Sequence, residues 1–207
     1  MALYTLFYLT AFSWLEQHIT VPDVWVHCHL DDLIPFCKYA IVPYFAWFGW
    51  IPFTLFYLLR RAPRQDFWRL CLSLFSGMTV ALAIYAVLPT GLALRPRHVY
   101  GTDIFAEAVR LLYMTDTPHN VCPSIHVFNS VTLTIAYYRS SLFDTPRVHW
   151  MRPASAILCT AIICSTVLLK QHSCIDVLMG ILLALIIDSI ASSLERSAMR
   201  RPELVRR

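Results

Sequence analysis

The chain has 207 residues, of which 57% are hydrophobic and only 14% charged, against roughly 25% charged residues in ordinary soluble domains. With a mean hydropathy of +0.56, this composition excludes a water-soluble globular domain and predicts a single all-α integral membrane domain over residues 1–207, with the lipid bilayer as its partner. The net charge of +4 is accounted for by membrane orientation, so no nucleic-acid partner is expected.

Apolar runs near the ~20 residues needed for a span recur along the chain at 2–17, 35–59, 67–88, 121–138, 154–170 and 171–191, followed by a basic tail, 192–207. They predict a bundle of six transmembrane helices. The first run, "MALYTLFYLTAFSWLEQH", has no basic start and no small-residue cleavage site, so it reads as a retained helix and not as a signal peptide. The loop after it, "DVWVHCHLDD" (23–32), offers His27, Cys28, His29, Asp31 and Asp32 as metal-ligand types. Their spacing fits no zinc pattern, so no metal is expected, and the loop is read as a cover over the site. Between the third and fourth runs, residues 102–114 place Ile104, Phe105, Ala108, Val109, Leu111 and Leu112 toward one side, with Asp103, Glu107 and Arg110 elsewhere. That pattern predicts an additional interfacial helix in the outer loop.

Lys and Arg are enriched in cytoplasmic loops. With both termini inside, the inner segments hold Arg60, Arg61, Arg64, Arg69, Arg139, Arg147, Arg152, Arg196, Arg200, Arg201, Arg206 and Arg207, twelve of seventeen cations. Lys38, Arg95, Arg97, Arg110 and Lys170 fall outside. Of seven cysteines, Cys71, Cys159 and Cys164 lie in apolar runs as small packing residues. Cys28, Cys37, Cys122 and Cys174 lie on or near the outer face, where spacing alone selects no disulfide pair. Asp188 is placed near the inner surface.

Polar residues embedded beside apolar runs are functional candidates, and here three clusters meet the outer face: "RPRHVYG" (95–101), "CPSIH" (122–126) and "KQHSCID" (170–176). His172 and Asp176, four apart, are expected on one helical face. A carboxylate on one imidazole nitrogen fixes the tautomer and frees the other nitrogen as a nucleophile. His126, from another helix, is then suited to protonate a leaving oxygen. Arg95 is suited to neutralise phosphoryl oxygens, and Ser124 with the amides at the start of the fourth helix adds donors.

On these residues the sequence resembles the type-2 phosphatidic acid phosphatase family. Arg95-Pro96 matches the end of its first motif, "PSIH" (123–126) matches Pro-Ser-Gly-His with Ile125 in place of glycine, and Ser165, His172 and Asp176 match its third. The resemblance implies a six-helix lipid phosphate phosphatase that works without a cofactor, with His172 forming a phosphohistidine, Asp176 orienting it, His126 as acid, and Arg95 and Ser124 holding phosphate. Leu88 and Thr166 stand where the family has Lys and Arg, and Lys170, Arg97 or Lys38 are the candidates to replace those charges. The chain is also similar to the sphingomyelin and inositol-phosphoceramide synthase branch, in which a lipid or polyol alcohol takes the phosphoryl headgroup. A transporter or scaffold with a vestigial site is the non-enzymatic alternative. A bacterial plasma membrane is the expected location. The lipid, the acceptor and the oligomeric state stay open.

Overall fold

Prolines, polar caps and arginine pairs cut this apolar chain into helices. The structure, a computed structural model, describes residues 2–19 and 21–205, with side chains for 3–19 and 21–197. Within them the helices are α1 (Ala2–His18), α2 (His29–Leu33), α3 (Ile41–Arg61), α4 (Arg64–Val87), α5 (Ile104–Thr115), α6 (Ile125–Arg139), α7 (Met151–Leu168) and α8 (Cys174–Val205). A parallel ribbon pairs β1 (Val24–Trp25) with β2 (Thr90–Gly91). Pro63, which cannot continue a helix through its own amide, caps α4 and turns the chain between Arg61 and Arg64.

Among the described residues, four segments are long and apolar enough to cross a membrane: Lys38–Arg61, Arg64–Val87, Met151–Leu168 and Cys174–Ser197. Six were expected. The shortfall lies in α1, with 17 residues, and in α6, with 15. Residues 121–124, counted as apolar sequence, form a loop instead, because the Val121 and Cys122 amides donate to the Thr90 hydroxyl and Ser124 caps α6. The helix that remains is about 22 Å long, against a hydrocarbon core of roughly 30 Å. At the other end of the chain, the basic tail expected from residue 192 continues α8 as far as Val205, and Arg206 and Arg207 lie outside the described residues.

α6 is central, packed against α3, α4, α7 and α8. Its buried face carries Leu133 and Tyr137, which join Leu58, Leu70, Leu74 and Ile162 from its neighbours, and Phe128, which packs with Tyr8, Ala81, Tyr85 and Leu183. The approach of α8 to the start of α6 is close: a Cβ on Gly180 would lie 2.7 Å from the Ser124 carbonyl oxygen. At the arginine-rich end, Asp188 of α8 accepts from Arg69 of α4 at 2.9 Å and from Arg139 of α6 at 2.5 Å. Glu195 also pairs with Arg69. At the opposite end the connecting segments layer on one another, with Leu92 donating to Pro118 and Asn120 to Thr90.

α5 occupies the position predicted for an extra helix. Asp103 caps it by accepting from the amides of Phe105 and Ala106. Its packed side is Ala106, Val109 and Leu112, while Ile104, Leu111 and Met114 are exposed. The predicted stripe is thus divided: Val109 and Leu112 pack inward, whereas Ile104 and Leu111, with Met114 outside the stripe, stay exposed.

Candidate active site

The three polar clusters converge at the end away from the arginines. After α7 the chain reverses through Lys170, in the left-handed region at φ 53°. The Gln171 and His172 amides both donate to the Thr166 carbonyl, at 2.9 and 3.2 Å. His172 therefore lies in a turn, and the expectation that it shares a helical face with Asp176 is corrected. Asp176, in the first turn of α8, instead reaches back. Its Oδ2 accepts the Ser173 amide at 2.8 Å and lies 3.5 Å from His172 Nδ1. Both residues are buried.

His126 enters from the first turn of α6. Its ring packs 4.6 Å from Tyr44 and 4.3 Å from Trp47, and 5.7 Å from the His172 ring, centroid to centroid. Ser124, fully buried, accepts the Val127 amide and keeps its own O–H as a donor. Its amide donates to the Asp176 carbonyl at 3.1 Å, which joins the start of α6 to the first turn of α8. Tyr85 fixes the same turn by donating to the Pro123 carbonyl at 2.6 Å.

Arg95 sits behind these groups. Its guanidinium donates to the Asp116 and Thr117 carbonyls at 2.7 and 3.2 Å and to Gln171 Oε1 at 2.6 Å, and it stacks on the Tyr113 ring at 4.7 Å. Burial pulls its pKa down, opposed by the Asp116 carboxylate. Burial likewise pushes the Asp116 carboxyl up, opposed by the Arg95 guanidinium.

Several buried polar atoms here have no hydrogen-bond partner among the described residues: both nitrogens of His126, His172 Nδ1, Asp176 Oδ1, Gln171 Nε2 and Arg95 Nε. Each such group costs on the order of 1–3 kcal/mol when left unpaired, so water or another polar group is needed here to satisfy them. A cavity of about 30 Å³ lies among Asp116, His119, Asn120, His126, Gln171 and His172. A larger one, about 430 Å³, runs between α1, α3, α4 and α6 and is walled by apolar and aromatic side chains, among them Tyr8, Phe48, Leu74 and Met78. His126, Ile125, Asp116 and Phe12 line both.

The proposed replacement cations do not join them. Lys170 is buried, but its Nζ donates to the Asp31 and Ile34 carbonyls at 2.7 and 2.5 Å, where it caps the end of α2. Arg97 is exposed and lines neither cavity. Lys38 pairs with Asp103. Leu88 ends α4 and is half exposed, whereas Thr166 is fully buried and serves through its carbonyl. Gln171, which sequence reasoning passed over, takes the place next to Arg95. Its only sequence signal was adjacency to His172.

The 23–32 segment is resolved into separate roles. His27 pairs with Asp32 at 2.9 Å on the surface. Cys28, Asp31 and Cys174 place ligand atoms within 4.8 Å of one another, but the Asp31 oxygens are already engaged. Oδ1 accepts the Cys174 amide at 2.8 Å, and Oδ2 accepts the Cys28 amide at 2.8 Å and the Ser173 hydroxyl at 2.6 Å. Burial works against the charge, yet the bonds from Ser173, Cys174 and Cys28 outweigh it and bring the carboxyl down to about 2. Asp31 thereby clamps the turn that carries His172.

No family's sequence profile matches the chain, and neither a curated protein nor a solved structure matches it.

Proposed function

We propose that the chain is a membrane enzyme that breaks the phosphate ester of a lipid through a phosphohistidine. In this reading all six long helices cross a bacterial plasma membrane, α1 and α6 included, with both termini cytoplasmic, the site at the outer face and α5 lying in the interface. The observation that carries the reading is the position of His126 at the boundary of the polar and the apolar cavities. An acid for a lipid ester has to stand there: phosphate belongs on the His172 side and hydrocarbon on the Trp47 and Phe48 side.

In the first step His172 Nε2 attacks phosphorus, forming the N–P bond as the P–O bond to the lipid breaks. His126 gives its proton to the departing alkoxide. Asp176, facing Nδ1, stabilises the cationic phosphohistidine. In the second step His126, now a base, takes a proton from water, whose oxygen attacks phosphorus and frees His172. Gln171 Nε2 and the Ser124 hydroxyl supply donors to the phosphoryl oxygens, with Arg95 polarising the Gln171 amide from behind.

A second reading, transfer of the phosphoryl headgroup to an alcohol, is favoured by the single cation. A phosphomonoester carries about −1.5 to −2 charges near neutral pH and a phosphodiester one, which Arg95 alone balances. The test is phosphate release from a panel of lipid phosphomonoesters, by purified protein in detergent with chelator present, beside His172→Ala. The same panel is repeated with phosphodiester lipids and a lipid alcohol acceptor. Release or transfer that falls at least about a hundredfold in His172→Ala and in His126→Ala supports the assignment. Activity retained by either folded variant sinks the role given to that histidine.

A further inference from the structure

Cys28 and Cys174 stand far apart in the chain, yet both backbone amides bind one carboxylate, that of Asp31. Their sulfurs lie within 4.8 Å of each other. Both residues are partly exposed, which leaves the pair open to a small reagent. Cys28 immediately precedes α2, and Cys174 opens α8 two residues after His172. The other cysteines on this side of the bundle, Cys37 and Cys122, belong to no such group among the described residues.

We infer that Cys28 and Cys174 are a redox-active pair, which forms a disulfide stapling the α2 segment to the start of α8 beside the His172 turn. A zinc ion is the competing occupant. It has only two thiolates and an already saturated carboxylate to work with, where structural zinc takes four ligands. A disulfide needs nothing from Asp31 except that it hold the two backbones together. The oxidant is a second disulfide, such as oxidised glutathione. One protein thiolate attacks it, expelling a glutathione thiol and leaving a mixed disulfide. The other protein thiolate then attacks the protein sulfur of that intermediate, so that the Sγ–Sγ bond forms and the second glutathione thiol departs. Two protein thiols are oxidised and one disulfide is reduced. Compartments outside the cytoplasm sustain such bonds, but the inference does not depend on which lipid, if any, the site turns over.

The experiment incubates the folded full-length protein in detergent with oxidised glutathione, alkylates the remaining thiols, and maps the digest by mass spectrometry. The expected result is a cross-linked peptide joining Cys28 to Cys174, alkylation of the other five of the seven cysteines, and return of all seven to the alkylated pool after dithiothreitol. The oxidised protein should also melt several degrees higher than the reduced form, and Cys28→Ser should lose that difference. Alkylation of both residues, pairing of either with another cysteine, co-purification of zinc that Cys28→Ser releases, or a bond that leaves the melting temperature unchanged would each overturn the inference.

Discussion

Asp31 shows how much a single buried carboxylate organises here. It accepts the neighbouring Cys28 amide and, from the remote turn before α8, the Ser173 hydroxyl and the Cys174 amide, and truncation leaves those donors orphaned at about 1–3 kcal/mol apiece. Asp31→Ala is therefore expected to lower the melting temperature and to reduce turnover by displacing His172, with the loss visible in kcat more than in KM. The pH behaviour follows from the sign of the shift. A carboxyl held at about 2 in the folded state, against an ordinary 3.8, contributes stability that is full above about pH 4 and is lost as pH falls through about 2. Thermal melts across that window should steepen this loss in the native protein relative to Asp31→Asn, and parallel curves would remove Asp31 from the account. Gln171 offers a second measurement. Gln171→Ala removes both the acceptor of Arg95 and the donor at the cavity, and should lower kcat/KM by about tenfold or more. An unchanged value would leave Arg95 without its proposed route to the phosphate.

Among the elements, the crossing of α6 and α8 decides whether His126 and His172 face each other. Gly180 permits it, since an added methyl would collide with backbone that cannot swing aside. Gly180→Ala is expected to destabilise the protein by about 1–3 kcal/mol and Gly180→Val by more, measured by thermal melting in detergent, with activity falling in step. Equal stability of the three proteins would mean that the two helices have room to spare. Hydropathy made the long helices legible in the sequence, and the charge sorting anticipated which helix ends carry the arginines. It did not reveal where α6 starts, because residues 121–124 are nearly as apolar as a helix interior while the Val121 and Cys122 amides bind the Thr90 hydroxyl. Nor did it show that His172 precedes α8, since the left-handed turn at Lys170 carries no glycine to announce it. Lys170 looked like a free cation for the same reason. A buried ammonium satisfied by two carbonyls reads in sequence like one waiting for a ligand.

Taken whole, the molecule gathers arginine-rich connections at the end opposite His126 and His172. Single cysteines introduced at Arg147 and at His98, in a background lacking the native seven, should react differently with an impermeant thiol reagent on intact cells: only His98→Cys should label. Labelling of both, or of Arg147→Cys alone, would overturn the proposed orientation. The ion-paired closure of Arg69, Arg139 and Asp188 has a consequence for traffic under the proposed function. With that end of the bundle tied together, water and released phosphate would share the opposite mouth, while the lipid alcohol would depart sideways into the leaflet. Hydrolysis by that route would be vectorial, with inorganic phosphate discharged to one compartment alone.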